Sequence, residues 1–370
     1  MLTLAQIFQR YGPAYRDLYA DRMPQSHRRA MRDIEQCRTE ALGGHVLVCP
    51  ACGHQRYHYH SCKNRPCPAC QNDAVNIWLA KQRELLLPVT YFLATFTLPD
   101  RRRELARSPQ KIVYSILFTA AAKALQTLAD DPHFVGDRIG LIAVLHSWAR
   151  DLVYHPHVHF LVPAGAISPD GSAWVPTRYQ DYLAPVKALS IIFRVKFRDA
   201  LAKTDLYRLV DRNIWSVDWV VHCQPAGMGE HALAYLTPYV YRVALTNNRL
   251  VSLENNQVTF RFRKSGKKAW GTMTLPALAF IHRFLQHILP RGFVKVRYYG
   301  FLSFTQRALL RTVRYVPALR HRPQKKKHRR PIQNRPPTLK HPRLFICPRC
   351  GATLGIQQLL LSSRKRAPPS

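Results

Sequence analysis

Acidic residues are scarce in this chain. Of its 370 residues, 21 are Asp or Glu against 56 Lys or Arg, a formal charge of +35. So large an excess repels itself in a compact fold unless a polyanion neutralises it. Nucleic acid is the partner this implies. A membrane surface fits poorly, because no basic amphipathic helix stands out. The shortage of carboxylates also counts against a small-molecule metallohydrolase, which draws further Asp and His ligands from its strand ends. No uninterrupted apolar run reaches the ~20 residues of a bilayer span. The stretch MLTLAQIFQRYGPAYRDLY has no apolar core followed by a small-residue cleavage site. The expectation is a cytoplasmic chain with no membrane partner. No internal repeat is evident.

What the chain does have is a sizeable hydrophobic fraction, 47%, which excludes wholesale disorder. The length suits roughly two or three domains. Residues 1–36 read as a helical, basic lead-in. Residues 73–88 have helical periodicity and stop at a proline, a connecting helix. Strands are expected at 89–99, 140–148, 157–165 and 214–223, with a hairpin turn between Asp151 and Pro156. Helices are expected at 108–130, opened by Ser108 and Pro109, and at 182–204, 230–242 and 275–290. Short strands at 249–253, 257–263 and 268–274 make a meander with its tip at SGKK. From about 316 to 345 the composition turns proline-rich and basic, a linker, and 346–370 form a tail with one more CxxC.

In a reducing compartment, CxxC pairs read as metal ligands rather than disulfides. Residues 37–72 hold six of the nine cysteines. Cys49 and Cys52 with Cys67 and Cys70 make two CxxC turns, and four thiolates satisfy tetrahedral zinc with little strain. One structural zinc on these four is the expectation. Cys37, His45, His60 and Cys62 flank and interleave them. Either these four build a second zinc in a cross-brace, with His54 and His58 as alternative ligands, or Cys37 and Cys62 pack as small hydrophobes. Cys347 and Cys350 are half a zinc site with nothing downstream to complete it; the pair either borrows ligands or stays empty. Cys223 reads as a core thiol. Arg38, Arg56, Lys63 and Arg65 surround the cluster and suit a phosphate backbone.

The sharpest signal is His155-Pro156-His157-Val158-His159. Alternate residues of a strand share a face, so His157 and His159 present two imidazoles side by side, half of a divalent-metal site. The plain alternative is a pair of core or surface histidines. The apolar residues around them and the basic, zinc-bearing chain favour the metal. His146, on a neighbouring strand, reads as a third ligand or as a group orienting one.

Downstream, Tyr235 and Tyr239 are four residues apart, which on a helix puts both hydroxyls on one face. Spacing alone favours core packing for them. Beside a metal that polarises a phosphate, a tyrosine becomes a nucleophile despite a pKa near ~10. Arg261, Arg263, Lys264, Lys267 and Lys268 lie on a hairpin with Phe260, Phe262 and Trp270. Basic groups track phosphates and aromatics stack bases; the alternative is a solvated hairpin over a core.

Together these stretches resemble the rolling-circle HUH transposases of bacterial insertion sequences, the two-tyrosine group with an amino-terminal zinc-binding domain. The matching segments are CRTEALGGHVLVCPACGH, SCKNRPCPACQ, FTLPD, LHSW, HPHVHFLV, WVVHCQP, YLTPYVYRVALTNNR, HRFLQHILPRGFVKVRYYGFL and CPRCG, in order from about 37 to 351. The resemblance implies an α+β fold: an HUH-type antiparallel sheet flanked by helices (89–315), preceded by a small zinc-binding domain (37–72). It implies a bacterial, cytoplasmic enzyme that nicks and rejoins single-stranded DNA at element ends. His157 and His159 would hold Mg²⁺ or Mn²⁺, Tyr235 and Tyr239 would be the paired nucleophiles, and Arg242 would contact DNA. The family usually has a basic residue before the second tyrosine, where this chain has Pro238. Proline inside a helix removes one hydrogen bond and crowds the preceding turn, costing ~3 kcal/mol, so the helix either begins near Thr237 or kinks, and the two hydroxyls then need not share a face. The rival reading is a non-catalytic zinc-ribbon nucleic-acid-binding protein.

Overall fold

The computed structural model describes residues 1–70, 72–99, 109–168, 170–229, 231, 233, 244–263, 269–306, 308–310 and 345–363. Two compact units emerge, and they cut across the linear order of the chain. One draws on Met1–Asn76, Leu245–Ile288 and Lys325–Ser370, the other on Ile77–Ala244 and Leu289–Gln324.

The second unit is built on a five-stranded antiparallel sheet. Its strands are β3 (Thr90–Thr97), β4 (Leu141–Trp148), β5 (Tyr154–Pro163), β8 (Val221–Met228) and β12 (Val296–Tyr299), in the order β12-β4-β5-β3-β8. The antiparallel sheet with helices against it is the architecture expected. β4 and β5 form the anticipated hairpin, closed by Ala149 donating to the Val153 carbonyl at 2.9 Å.

Alternation decides the two faces. Phe92, Ala94 and Phe96 of β3, Ala143 and Leu145 of β4, and Val158, Phe160 and Val162 of β5 point to one side. There they pack against α4 (Gln110–Ala129) and α5 (Val186–Leu201). α4 is long and apolar enough to cross a bilayer by composition, but most of it is buried inside this unit. On the other side, Leu93, Val144 and Leu161 join Trp78, Leu87, Leu233, Phe301 and Leu302. The histidines share the parity of this second face.

Two local expectations are corrected. The strand predicted over 214–223 starts later. Asp211 accepts from Asn213 N at 3.0 Å and opens a 3-10 turn over Arg212–Trp215. Trp219 is then fixed by Ser190, which accepts from its N–H at 3.1 Å and donates to its carbonyl. Its indole packs on Trp215 and Phe193, so residues 212–219 are committed before β8 begins. Helix α4 takes Pro109 as its N-cap rather than its first residue. β12, which closes the sheet edge beside β4, was not expected from the sequence.

The first unit contains α1 (Leu4–Tyr19), α2 (Gln25–Glu35) and α6 (Ala277–Leu285) with a three-stranded meander of β9 (Leu250–Glu254), β10 (Gln257–Arg263) and β11 (Trp270–Pro276). The turn between β9 and β10 uses Asn255 and Asn256, both left-handed, as a tight hairpin turn with the strands' twist requires. A second sheet pairs β1 (Gly44–Val48) with β2 (Gln55–Tyr59) on one side and with β13 (Gly355–Leu360) on the other. β13 belongs to the carboxyl-terminal tail, so the two ends of the chain share one sheet.

Candidate metal centres and catalytic face

Cross-strand register assembles the histidine centre. His157 stands opposite His146 and Thr97, and His159 opposite Val144 and Thr95. His146, His157 and His159 each bring a ring nitrogen within 4.8 Å of the others. All three are buried. His157 Nδ1 lies 2.6 Å from the His155 carbonyl. A carbonyl only accepts, so Nδ1 carries the proton and Nε2 keeps the lone pair. His159 Nδ1 is held by the Thr95 hydroxyl at 2.9 Å. Burial lowers His159 to about 4, so its ring is neutral at physiological pH. Neutral imidazoles fixed through one nitrogen by a carbonyl or hydroxyl are the donor set a divalent cation takes.

His146 therefore lies with the HxH pair on this face. Thr95 was not singled out in the sequence; its place in the alternation of FLATFT beside an HxH strand was the signal available. Trp148 lies against His146, ring centroids 4.2 Å apart, and the Lys295 ammonium sits over Trp148 at 4.9 Å. Tyr235, Tyr239 and Arg242 lie outside the described residues. Leu233, two residues before Tyr235, is buried in the apolar cluster on the histidine-bearing face.

The cysteines group differently from expectation. Cys49 and Cys52 do not join Cys67 and Cys70. One group is Cys37, Cys62, Cys67 and Cys70; the other is Cys49, Cys52, Cys347 and Cys350. The reason is strand direction. β1 and β2 run between the two groups, carrying Cys49 at one end of the hairpin and delivering Cys62 past the other, back toward Cys37 at the end of α2. Cys37 Sγ is 3.3 Å from Cys70 Sγ, and Cys62 Sγ 3.6 Å from it. His45 and His60 join neither group among the described residues. Their rings meet edge to face at 5.0 Å, and His45 stands opposite His58 across β1 and β2.

Charge in the first group is shared unevenly. Contacts from Cys37 and its neighbours hold Cys70 well below the usual thiol range, while Cys37 and its neighbours push Cys62 and Cys67 up. Hydrogen bonding by Cys62 brings Cys37 itself to about 7. Four thiols this close cannot all ionise unless a cation sits among them. That is the behaviour of a zinc ligand set, where coordination removes every proton.

The basic residues are placed as follows. Arg38, Lys63 and Arg65 are exposed on the cysteine-rich segment. Arg38 also donates to the Ala69 carbonyl at 3.2 Å, tying it to the Cys67–Cys70 turn. Arg261 and Arg263 are exposed on β10, and the Arg261 guanidinium lies 6.0 Å from the exposed Trp270 ring. Phe260 is fully buried against Phe280, so it is core and does not meet bases. Lys264, Lys267 and Lys268 lie outside the described residues.

A family model described as "Transposase zinc-binding domain" matches residues 7–98, and one described as "Putative transposase" matches 140–309. The chain is 42% identical to "Putative transposase y4qJ" of Sinorhizobium fredii over 321 residues, 81% of this chain and 80% of that protein. It is 27% identical over 298 residues to the "Transposase for insertion sequence element IS801" of Pseudomonas savastanoi pv. phaseolicola, covering 74% of this chain and 71% of the relative. No solved structure matches. A cysteine-rich domain built for zinc, a buried histidine centre on an antiparallel sheet and these relatives lead to one conclusion: the chain belongs to the IS91/IS801 family of insertion-sequence transposases, enzymes that cleave DNA and transfer its strands.

Proposed function

We propose that this transposase nicks and rejoins single-stranded DNA at element ends through a tyrosine–5′-phosphate intermediate, the chemistry of rolling-circle transposition. The observation that carries the proposal is the trio His146, His157 and His159, gathered on one face of the sheet with their ring nitrogens within 4.8 Å of one another.

These imidazoles would hold Mg²⁺ or Mn²⁺. The ion, when bound, draws electron density from a phosphate oxygen and so stabilises charge at the phosphorus. Thr95 and the His155 carbonyl orient the rings. Tyr239, with Tyr235 as its pair, is the nucleophile. The phenol oxygen forms a bond to the scissile phosphorus as its proton leaves to solvent. The bond from phosphorus to the 3′ oxygen of the preceding nucleotide breaks, and that oxygen takes up a proton as a 3′ hydroxyl. The phosphodiester's free energy stays in the tyrosyl ester, so a later 3′ hydroxyl can reverse the step and rejoin a strand without ATP. Burial of Leu233 on the histidine-bearing face supports this reading, because it tethers the chain entering the tyrosine segment to that side.

Arg242, Arg261, Arg263, Lys264, Lys267 and Lys268 would track the strand's phosphates, with Trp270 offering a ring for a base. Arg38, Lys63 and Arg65 would contact DNA from the zinc-binding domain, whose structural zinc we assign to Cys37, Cys62, Cys67 and Cys70.

The test is incubation of the full chain with labelled single-stranded element ends and Mn²⁺, followed by a denaturing gel. A covalent protein–DNA adduct is expected, lost in Tyr239→Phe when Tyr235 is also replaced, with zinc content unchanged. Salt-dependent binding without any metal-dependent nicking would select the non-catalytic zinc-ribbon binder instead. Cleavage that survives loss of both tyrosines would remove them from the chemistry.

A further inference from the structure

The second cysteine group is assembled from segments far apart in the chain. Cys52 and Cys347 are 295 residues apart in sequence, yet their sulfurs lie 3.6 Å apart, and Cys49 Sγ lies 3.4 Å from Cys350 Sγ. The two halves repeat one another. Cys49-Pro50-Ala51-Cys52-Gly53 and Cys347-Pro348-Arg349-Cys350-Gly351 have the same Cys-Pro-x-Cys-Gly pattern. Cys67-Pro68-Ala69-Cys70 lacks the final glycine.

The backbones repeat as well. Gly53 donates to the Cys49 carbonyl at 2.9 Å, and Gly351 donates to the Cys347 carbonyl at 3.0 Å. Cys49 donates to the His54 carbonyl at 2.9 Å, and Cys347 to the Ala352 carbonyl at 2.8 Å. Gly53 and Gly351 have φ of +68° and +76°, the left-handed turn that glycine adopts without strain. Each knuckle thus curls its two thiols toward the same point, and the two points coincide. Behind them Leu47 and Leu354 pack with Cys49 and Cys347, and Phe345 and Ala352 close the cluster. Antiparallel pairing from Val48–Gly355 to Gly44–Leu360 fixes the register, and Ser362 Oγ donates to the Ala41 carbonyl at 2.7 Å beyond it.

We infer that Cys49, Cys52, Cys347 and Cys350 bind a second structural Zn²⁺, in a zinc ribbon whose halves come from the two ends of the chain. All four sulfurs lie within 4.8 Å of one another, and four thiolates are a closed, tetrahedral set with no position left for water or substrate. The site is therefore structural. Its consequence is that the carboxyl-terminal CxxC is an integral part of the amino-terminal zinc-binding domain. Zinc here also clips together residues far apart in the unfolded chain, where closing a loop costs most entropy. The inference rests on sulfur geometry and on neither the histidine centre nor the tyrosines.

The experiment is metal analysis of the purified full chain by mass spectrometry, with native alkylation of thiols mapped by peptide mass. Two zinc ions per chain are expected. Cys347→Ser with Cys350→Ser should leave one, as should Cys62→Ser with Cys67→Ser, while Cys350→His should keep two. In the unmutated chain Cys49, Cys52, Cys347 and Cys350 should be protected together, and a chelator should expose the four together with release of one zinc. If the Cys347/Cys350 double variant retains both ions, the inference is wrong. Alkylation of Cys347 and Cys350 in a chain that still holds two zinc ions would overturn it equally, and that measurement needs no variant to fold.

Discussion

Thr95 and His159 stand opposite each other on β3 and β5, with the threonine hydroxyl 2.9 Å from the imidazole Nδ1. That contact fixes the ring through Nδ1, and His159 brings a ring nitrogen within 4.8 Å of those of His146 and His157. Thr95→Val keeps the β-branched shape and removes the hydroxyl. Groups in this position typically change metal affinity or activity by roughly 10–100-fold. Nicking by Thr95→Val should require that much more Mn²⁺, with zinc content and thermal unfolding close to those of the unmutated chain. A metal titration of initial nicking rate reads this directly; an unchanged requirement would detach Thr95 from the centre.

The sheet and two of the three gathered histidines are legible in sequence because both rest on short-range alternation. Buried strands such as TYFLATFT and HVHFLV declare their faces, and His157 and His159 inherit a common side. The cysteine partition is not legible in that way. Counting CxxC pairs in order joins Cys49/Cys52 to Cys67/Cys70, but the two pairs lie on different sides of the β1–β2 hairpin. The β1–β2 hairpin holds them at opposite ends, and pairing between β1 and β13 brings Cys347 and Cys350 to Cys49 and Cys52, a long-range contact that no local pattern encodes. The glycine after Cys52 and Cys350, and its absence after Cys70, was the one local mark of the true partners. β12 was missed for a related reason: it has four residues, Val296–Tyr299, too few for an alternation to register.

The aromatic residues of the β10–β11 hairpin separate into two kinds. Phe260 is fully buried and Trp270 is 57% exposed. Phe260→Ala should destabilise the first unit by about 3–5 kcal/mol, as large-to-small core substitutions do. Trp270→Ala should leave stability within about 0.5 kcal/mol and weaken binding of a single-stranded oligonucleotide by about 1–3 kcal/mol, the worth of one stacked base. Chemical denaturation and fluorescence anisotropy of the two variants distinguish these outcomes. Equal binding by Trp270→Ala and the unmutated chain would take this hairpin out of the DNA path.

The first unit should lose stability in mild acid. Burial, and secondarily the charge of His282, lower His27 from 6.5 to about 4. His282 is itself held by the Tyr15 hydroxyl at Nδ1, 3.1 Å away, and stacked on Tyr19. A histidine whose folded pKa is depressed favours the folded state fully above the unfolded value of 6.5. Below it the unfolded chain takes up the proton first, and the contribution is lost as pH falls from about 6.5 to about 4. The loss is on the order of 2–3 kcal/mol, reduced by solvent around a half-buried ring. His27→Gln should therefore narrow the gap between denaturation midpoints at pH 7 and pH 4.5. Identical pH profiles for the two chains would show that His27 protonates as easily folded as unfolded.

His146 and His155 flank the HxH pair and play opposite parts. His146 offers a ring nitrogen to the trio, whereas His155 serves His157 through its backbone carbonyl at 2.6 Å. Truncating the first removes a ligand; truncating the second leaves the carbonyl where it was. His146→Ala should cut Mn²⁺-dependent nicking by at least roughly 10–100-fold, with partial recovery at high metal. His155→Ala should stay within about threefold of the unmutated rate, since its loss alters none of the gathered nitrogens. Both variants should retain full zinc, which certifies the fold of the cysteine domain in each. The reverse ranking, with His155→Ala inactive and His146→Ala active, would mean that the ion is held by His155, His157 and His159 along one strand, and that β4 supplies packing alone.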